Sequence, residues 1–152
     1  MGQATPEKAD FLNVDLIIHS KSDLQPLVSR MGRHIIVLYV GRMKRAHMAC
    51  LEVSRMPKSP EFAIRTFCKV IRKLPPAARK LWNASKSRTF DIGIASFPLG
   101  ANRAPKGVYW FAISAETLAE TAKLRAQVAV TVYGKLKKAK PRRKTVPSGS
   151  LK

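Results

Sequence analysis

The chain has 152 residues, with 29 Lys and Arg against 9 Asp and Glu, so its formal net charge is +20. This length favours a single domain, and an apolar fraction of 45% excludes a chain disordered throughout. No apolar run reaches the length of a membrane span, and the polar start of the chain is unlike a secretory signal. Cys50 and Cys68 are too few for a disulfide framework or a four-thiolate zinc site. We therefore expect a soluble, cytoplasmic protein with free thiols.

The first third of the chain predicts a strand, a short helix and a hairpin. Residues 14–18 form a β-branched run that predicts a strand, and residues 20–23 carry hydroxyl and carboxylate groups that favour a helix start. This helix should end by Gly32. The six apolar residues 35–40 predict a strand buried on both faces, and the alternation at 49–54 predicts a half-buried strand. We expect these two strands to form a hairpin around a basic turn.

The rest of the chain predicts two helices followed by mixed elements. Residues 59–61 combine a hydroxyl cap, a proline and an acid, which is typical of a helix start, and the following apolar stripe predicts a helix over 60–74. A Pro-Pro pair ends it, and a second helix should follow over 77–85. A strand, a loop, a strand, a helix and a strand are then predicted at residues 90–94, 97–106, 108–113, 114–124 and 127–133.

The predicted order of elements is β-α-β-β-α-α-β-β-α-β. It neither alternates strictly nor segregates strands from helices, and so predicts an α+β fold with a mainly antiparallel sheet and helices packed on a face. We expect a single domain over residues 12–134, preceded by a flexible leader at 1–11. Residues 135–152 carry eight basic residues, no acid and almost nothing apolar, which predicts a disordered basic tail.

Several of these segments together resemble a known family. The segment 15–24, Trp82 with the segment 88–94, the segment 111–118 and the segment 130–133 resemble a family of small bacterial α+β proteins catalogued only as a domain of unknown function. The resemblance implies a bacterial source and a compact single domain. It brings no reaction, cofactor or catalytic residue.

The sequence contains no strong catalytic or metal-binding pattern. His19, His34 and His47 lack metal-ligand spacing, and both cysteines fall on predicted core elements, where a thiol is an inert small hydrophobe. Ser22, His19 and Asp23 could form a nucleophilic set on paper, although helix capping explains the serine and the acid. No Gly-rich phosphate loop occurs. We therefore predict no enzyme activity, no metal and no cofactor.

Asp91 is the one acid in the middle of a predicted strand, between two apolar residues. Either it points outward or it pairs with a base such as Arg88. We favour this structural role over a catalytic one.

The charge pattern indicates an anionic partner. On the helix over 60–74 the cations fall opposite the apolar stripe, only Glu61 can offset one of them, and no acid occurs between Glu61 and Asp91. A merely solvated face would interleave both signs. The predicted nucleic-acid contacts are Arg65, Lys69, Arg72, Lys73, Arg79, Lys80, Lys137, Lys138, Lys140, Arg142, Arg143 and Lys144.

These observations favour electrostatic nucleic-acid binding without sequence preference, since no recognition-helix or zinc-finger motif is present. Tyr109, Trp110 and Phe111 could form a base-stacking platform, although strand alternation should bury some of them. The main alternative is a protein-interaction module, such as an inhibitor or immunity-type protein, for an acidic partner. A membrane partner ranks lower because the tail has no apolar anchor, and an enzyme ranks last. The sequence does not determine the oligomeric state.

Overall fold

One five-stranded sheet forms the centre of the protein. The computed structural model describes residues 10–95 and 110–134. The strand order is β2-β3-β1-β4-β5, and every pair is antiparallel except β4 with β5, which is parallel. The strands are β1 (Asp10–Ser20), β2 (Ile35–Met43), β3 (Ala46–Val53), β4 (Ser87–Ala95) and β5 (Gln127–Tyr133). The predicted α+β class with a mainly antiparallel sheet is confirmed.

Four helices pack on one face of this sheet. They are α1 (Gln25–Val28), α2 (Pro60–Arg72), α3 (Pro76–Ala84) and α4 (Ala115–Lys123). Alternate residues of the strands point toward them: Val14, Leu16 and Ile18 of β1 and Phe90 and Ile92 of β4 are fully buried. We call this side the helix face and the other side the open face. No helix among the described residues is long and apolar enough to cross a membrane.

Aromatic side chains join the helices to the sheet. Phe67 of α2 and Phe90 of β4 pack with ring centroids 5.7 Å apart. Trp82 of α3 is fully buried, and its indole N–H donates to the Leu124 carbonyl at the end of α4 (3.1 Å). Large buried aromatics contribute the most apolar area per residue, so replacing any of these three by alanine costs about 3–5 kcal/mol.

Two predicted elements near the start of the chain differ in the structure. β1 begins at Asp10, so the last two residues of the predicted leader belong to the sheet, and residues 1–9 lie outside the described residues. The first helix is a single turn, Gln25–Val28, that no side chain caps. The Asp23 carboxylate accepts from the Gln25 amide (3.0 Å) in a local turn, and Pro26 follows within the first turn, which delays the helix start.

The predicted strand over 108–113 is wrong for residues 110–113, which have no regular structure, while residues 108–109 lie outside the described residues. The next residue, Ser114, hydrogen-bonds to Glu61 at the start of α2. This contact holds the segment against the helices, and Phe111 and Ile113 pack partly buried against the core. The order within the described residues is therefore β-α-β-β-α-α-β-α-β.

The predicted burial of β2 on both faces is also wrong. The six apolar residues suggest burial on both faces, yet β2 is an edge strand. Ile36, Val37, Leu38 and Tyr39 are all exposed, by 38–51%. A run of apolar residues specifies a strand but does not specify how many neighbours that strand has.

The hairpin between β2 and β3 is confirmed, with Met43 paired to Ala46 across a two-residue turn. Lys44 in this turn has φ 53°, the left-handed region that costs a residue with a side chain about 1 kcal/mol. We expect Lys44→Gly to raise the free energy of unfolding by about 0.5–1 kcal/mol, measured by urea denaturation.

Arg45→Gly is the matched control, because Arg45 is in the same turn without positive φ. It should lower the stability or leave it unchanged. A gain from Arg45→Gly equal to that from Lys44→Gly would contradict the assignment of strain to Lys44.

Candidate nucleic-acid interface

Three of the predicted phosphate-binding residues lie on the exposed side of α2, which begins where the sequence indicates. The Ser59 hydroxyl accepts from the Phe62 amide (3.2 Å) and caps the helix. Because the apolar stripe faces the sheet, Arg65, Lys69 and Arg72 are exposed on the other side. The sequence pattern therefore predicts their exposure correctly.

The exposed side of α2 faces α4 across a groove of about 320 Å³. Arg65, Lys69 and Arg72 line one wall, and Glu116 and Glu120 of α4 line the other. Arg72 forms an ion pair with Glu120. The expectation that only Glu61 offsets these cations is therefore wrong, because α4 brings acids from a distant segment. The groove has mixed charge and is a poor phosphate site.

Glu61 connects the starts of α2 and α4. Its carboxylate accepts hydrogen bonds from the Ser114 amide (3.1 Å), the Ser114 hydroxyl (2.9 Å) and the Thr117 hydroxyl (2.6 Å). Burial alone would raise the pKa of Glu61, but these hydrogen bonds and the Arg65 charge outweigh it and lower the pKa below its usual value. Glu61 is thus a structural carboxylate at a helix N-terminus.

Lys73, Arg79 and Lys80 lie beyond this groove. Lys73 is the C-cap of α2, and Arg79 and Lys80 lie on α3, where Arg79 is half-buried. Within the described part of the chain, none of the three forms an ion pair. They are therefore free to meet an anion, unlike Arg72.

The sheet topology gathers a second set of cations that the sequence does not group. Ser20 pairs with His47, His19 with Ser87, and Thr89 with Gln127, so the hairpin turn, the end of β1 and the starts of β4 and β5 lie at the same end of the sheet. We call this the basic end. Its exposed cations are Lys21, Arg42, Lys44, Arg45, Lys86 and Arg125.

The residues of the basic end come from four separate segments, so no single charge run along the sequence groups them. The sequence signals were the basic hairpin turn and Lys86, which lies in the acid-free stretch between Glu61 and Asp91. In the part of the chain that the structure describes, Asp23 contacts this end, with its carboxylate 3.8 Å from Nδ1 of His47. The basic end therefore has a large excess of positive charge.

Ser22, His19 and Asp23 do not form a nucleophilic set. His19 Nδ1 lies 3.1 Å from the Ser87 hydroxyl, and the Ser22 amide donates to the Ser20 hydroxyl (3.1 Å). Asp23 accepts from the Gln25 amide. Within the described residues, no hydrogen bond joins the side chains of the three, so no proton relay connects them.

Acids instead occupy the middle of the open face. Asp15 pairs with Asp91 in register, and Glu52 lies on the other side of Asp15. Burial, a hydrogen bond with the Glu52 carboxyl, and the charges of Glu52 and Asp91 together raise the pKa of Asp15 to about 6. Three of the nine acids are thus concentrated where they repel one another.

Asp91 does not pair with Arg88, because the two lie on opposite faces of β4. Asp91 accepts a hydrogen bond from the Thr131 hydroxyl of β5 (2.8 Å). Arg88 is buried on the helix face, where it donates to the Trp82 carbonyl (2.7 Å) and lies 5.8 Å from the Trp82 ring. Odd- and even-numbered residues of a strand point to opposite faces, which separates the two side chains. Of the two alternatives for Asp91, an outward orientation is the one that fits the structure.

Both cysteines are free. Burial and the neighbouring carboxylates raise the pKa of Cys50 to about 11, and burial also raises the pKa of Cys68. Both therefore stay protonated at neutral pH and are poor nucleophiles. Among the described residues, no group of three or more His, Cys, Asp or Glu side chains could hold a metal ion.

The aromatic cluster and the tail are described only in part. Trp110 is 79% exposed and Phe111 is half-buried, while Tyr109 lies outside the described residues. The predicted contacts Lys137, Lys138, Lys140, Arg142, Arg143 and Lys144 also lie outside them.

Comparison with protein-family models gives no match for this chain. No curated protein matches it, and no solved structure matches it either. The resemblance to a bacterial family of unknown function stays a prediction.

We expect Glu61→Gln to lower the free energy of unfolding by about 1–2 kcal/mol at pH 7, because an amide cannot accept all three hydrogen bonds. The pKa of Glu61 is lowered by folding, so its contribution is present above the unfolded value and is lost as the pH falls through the folded value. Denaturation at pH 7 and in acid measures both effects. Glu116→Gln, in the first turn of α4, should cost less, and equal losses would contradict the role of Glu61.

We expect Asp15→Asn to stabilise the protein at neutral pH. The pKa of Asp15 is raised to about 6 by folding, so ionisation above that pH works against the folded state, and the penalty disappears as the pH falls toward the unfolded value of 3.8. Because the carboxyl is partly solvated, we expect a gain of about 1 kcal/mol at pH 7.5.

Urea denaturation at pH 7.5 and in mild acid measures this difference. Asp23→Asn, at an exposed carboxylate away from the open face, is the charge-matched control. A gain of the same size for Asp15→Asn at both pH values would argue against ionisation of Asp15 as the cause.

Proposed function

We propose that the protein binds nucleic acid without sequence preference, through the basic end of its sheet and the basic tail. The observation that carries this proposal is the convergence of six exposed cations from four segments at one end of the sheet. The acids of the described residues lie mainly elsewhere, in the α2–α4 groove and on the open face. This separation leaves a positive surface that a polyanion can approach.

The size of the basic end suits a nucleic-acid backbone. Five strands spaced about 4.8 Å apart make this end about 19 Å wide. A duplex carries about eleven phosphate charges over that length. Lysine and arginine side chains at the ends of strands and in turns can therefore reach several phosphates at once without entering a groove.

The strained hairpin turn also supports nucleic-acid binding at the basic end. Lys44 holds a left-handed conformation that glycine would adopt at lower cost, and it places its charge at the tip of the hairpin. Strain kept at a charged, exposed position is consistent with a requirement for the charge rather than for stability.

The contacts available favour binding without base readout. The basic end consists of turns and strand ends, and phosphate contacts of this kind position a protein but carry no sequence information. The tail adds a second set of cations. It follows β5, which starts at the basic end and finishes at the opposite end of the sheet, and its covalent attachment to the domain would raise its effective concentration on the same nucleic acid.

Binding of a labelled mixed-sequence duplex, measured by fluorescence anisotropy over a series of KCl concentrations, tests this proposal. The variant Lys44→Gln with Arg45→Gln should bind more weakly and reduce the slope of log K against log salt by about 1–2, since each phosphate contact contributes about 0.9. Replacing Lys137, Lys138, Arg142 and Arg143 by Gln in the full chain should reduce the slope further.

The matched control is Arg65→Gln with Lys69→Gln, which removes the same charge from the mixed-charge groove. It should reduce the slope by less than the turn variant. If the turn and groove variants change the slope equally, the positive charge acts in bulk and the basic end is not the interface. Absence of duplex binding by the unaltered protein at moderate salt would overturn the proposal itself.

A further inference from the structure

The outer edge of β2 is the most unusual surface among the described residues. The first six residues of β2, 35–40, are uncharged, and no described strand pairs with this edge. Leu38 is 51% exposed and Ile36 44% exposed. Edge strands usually carry charges or proline in such positions, because an unpaired apolar edge can form backbone hydrogen bonds with a strand of another chain.

Charge flanks this apolar edge at both ends. Arg30 and Arg33 precede β2, and Arg42, Lys44 and Arg45 lie at its other end. β2 contains no acid, and the residues just before it and in the turn after it contain none. The edge therefore presents an apolar centre between two positive flanks.

This pattern of charge argues against pairing of the β2 edge with the β2 edge of a second copy of the chain. Antiparallel pairing of two β2 edges would bring the cations before one strand opposite the cations after the other, and parallel pairing would bring identical cations together. Like charges directly opposite one another destabilise a strand pair. The +20 net charge opposes such a pairing further.

We propose that the β2 edge docks an extended segment of another protein, with β-branched residues at its centre and acidic residues at both ends. Backbone hydrogen bonds to the free edge would supply affinity, and the exposed side chains of Ile36 and Leu38 would select apolar partners. The acids would meet the flanking arginines and lysines, which adds selectivity and speeds association.

Two local features shape this docking strand. A β-bulge between Val37 and Tyr39 interrupts the pairing with β3 and increases the twist, so we expect the partner to pair mainly on either side of Leu38. The Tyr39 hydroxyl donates to the Arg42 carbonyl (3.1 Å), which satisfies that polar group within β2 itself. The Tyr39 ring is then available as an apolar surface.

A fluorescent peptide with about six alternating Val and Thr residues between paired acids tests the proposal. We expect it to bind the full-length protein, whereas a peptide with the same acids and a Gly/Ser centre, or the same centre with lysine flanks, should bind at least about tenfold more weakly. Equal binding of the acid-flanked peptides with Val/Thr and Gly/Ser centres would overturn the proposal, because attraction of charge alone would then explain it.

The variant Leu38→Lys separates docking from bulk charge, because it adds a cation to the edge. We expect it to weaken binding of the Val/Thr peptide about tenfold or more while leaving duplex binding intact. Leu118→Lys is the matched control: Leu118 is 48% exposed on α4, outside the β2 edge. Equal peptide affinity for the two variants would refute docking at β2.

Two further measurements keep the test decisive. Circular dichroism establishes that each variant is folded, and Ile36→Lys replaces Leu38→Lys if the latter is not. Sedimentation of the unaltered protein without peptide measures self-association: a dimer that Leu38→Lys abolishes would assign the edge to a second copy and overturn the proposal. Duplex binding is measured separately, so failure of peptide docking leaves the proposed nucleic-acid interface standing.

Discussion

Side chains of β1 and β4 alternate between two faces of the sheet, and within the described residues only one of these faces packs against helices. Val14, Leu16 and Ile18 fill the helix face, while Asp15 and its neighbours lie on the open face. This one-sided packing leaves the open face available to polar and charged side chains. Acids can collect on the open face, and the ends and edges of the sheet stay exposed.

Charge is distributed unevenly over this framework. Glu61, Glu116 and Glu120 lie along the α2–α4 groove, where Glu61 holds α4 by hydrogen bonds and Glu120 pairs with Arg72. Six exposed cations that form no ion pair within the described residues converge at one end of the sheet. The proposed binding surface therefore follows from which cations the fold leaves unpaired, and the net charge alone could not identify it. The two proposed surfaces use different physical terms, counterion release at the basic end and backbone pairing at β2.

Local sequence signals located most of the fold. The cap at Ser59, the Pro-Pro pair and the period of the apolar stripe place α2 and α3 within a residue or two, because these signals act through hydrogen bonds and sterics inside the segment. The wrong predictions share a cause, which is contact between segments that are distant in the chain. Residues 110–113 have strand-like composition, yet the next residue, Ser114, hydrogen-bonds to Glu61 in the helix layer. The candidate site was only half predicted, because Arg65, Lys69 and Arg72 were identified without the acids of α4.

The sequence by itself determined the α+β class, the limits of the main helices and the excess of positive charge, since each depends on composition or on neighbours a few residues apart. The tertiary structure alone decided which strand lies at the edge, which cations find an acid and which ones gather at one end of the sheet. Those outcomes depend on strand order and register, which bring together segments that are distant in the chain. Thus β2, which has the composition of a buried strand, lies at an exposed edge, and Lys21, Lys44 and Lys86 share one surface.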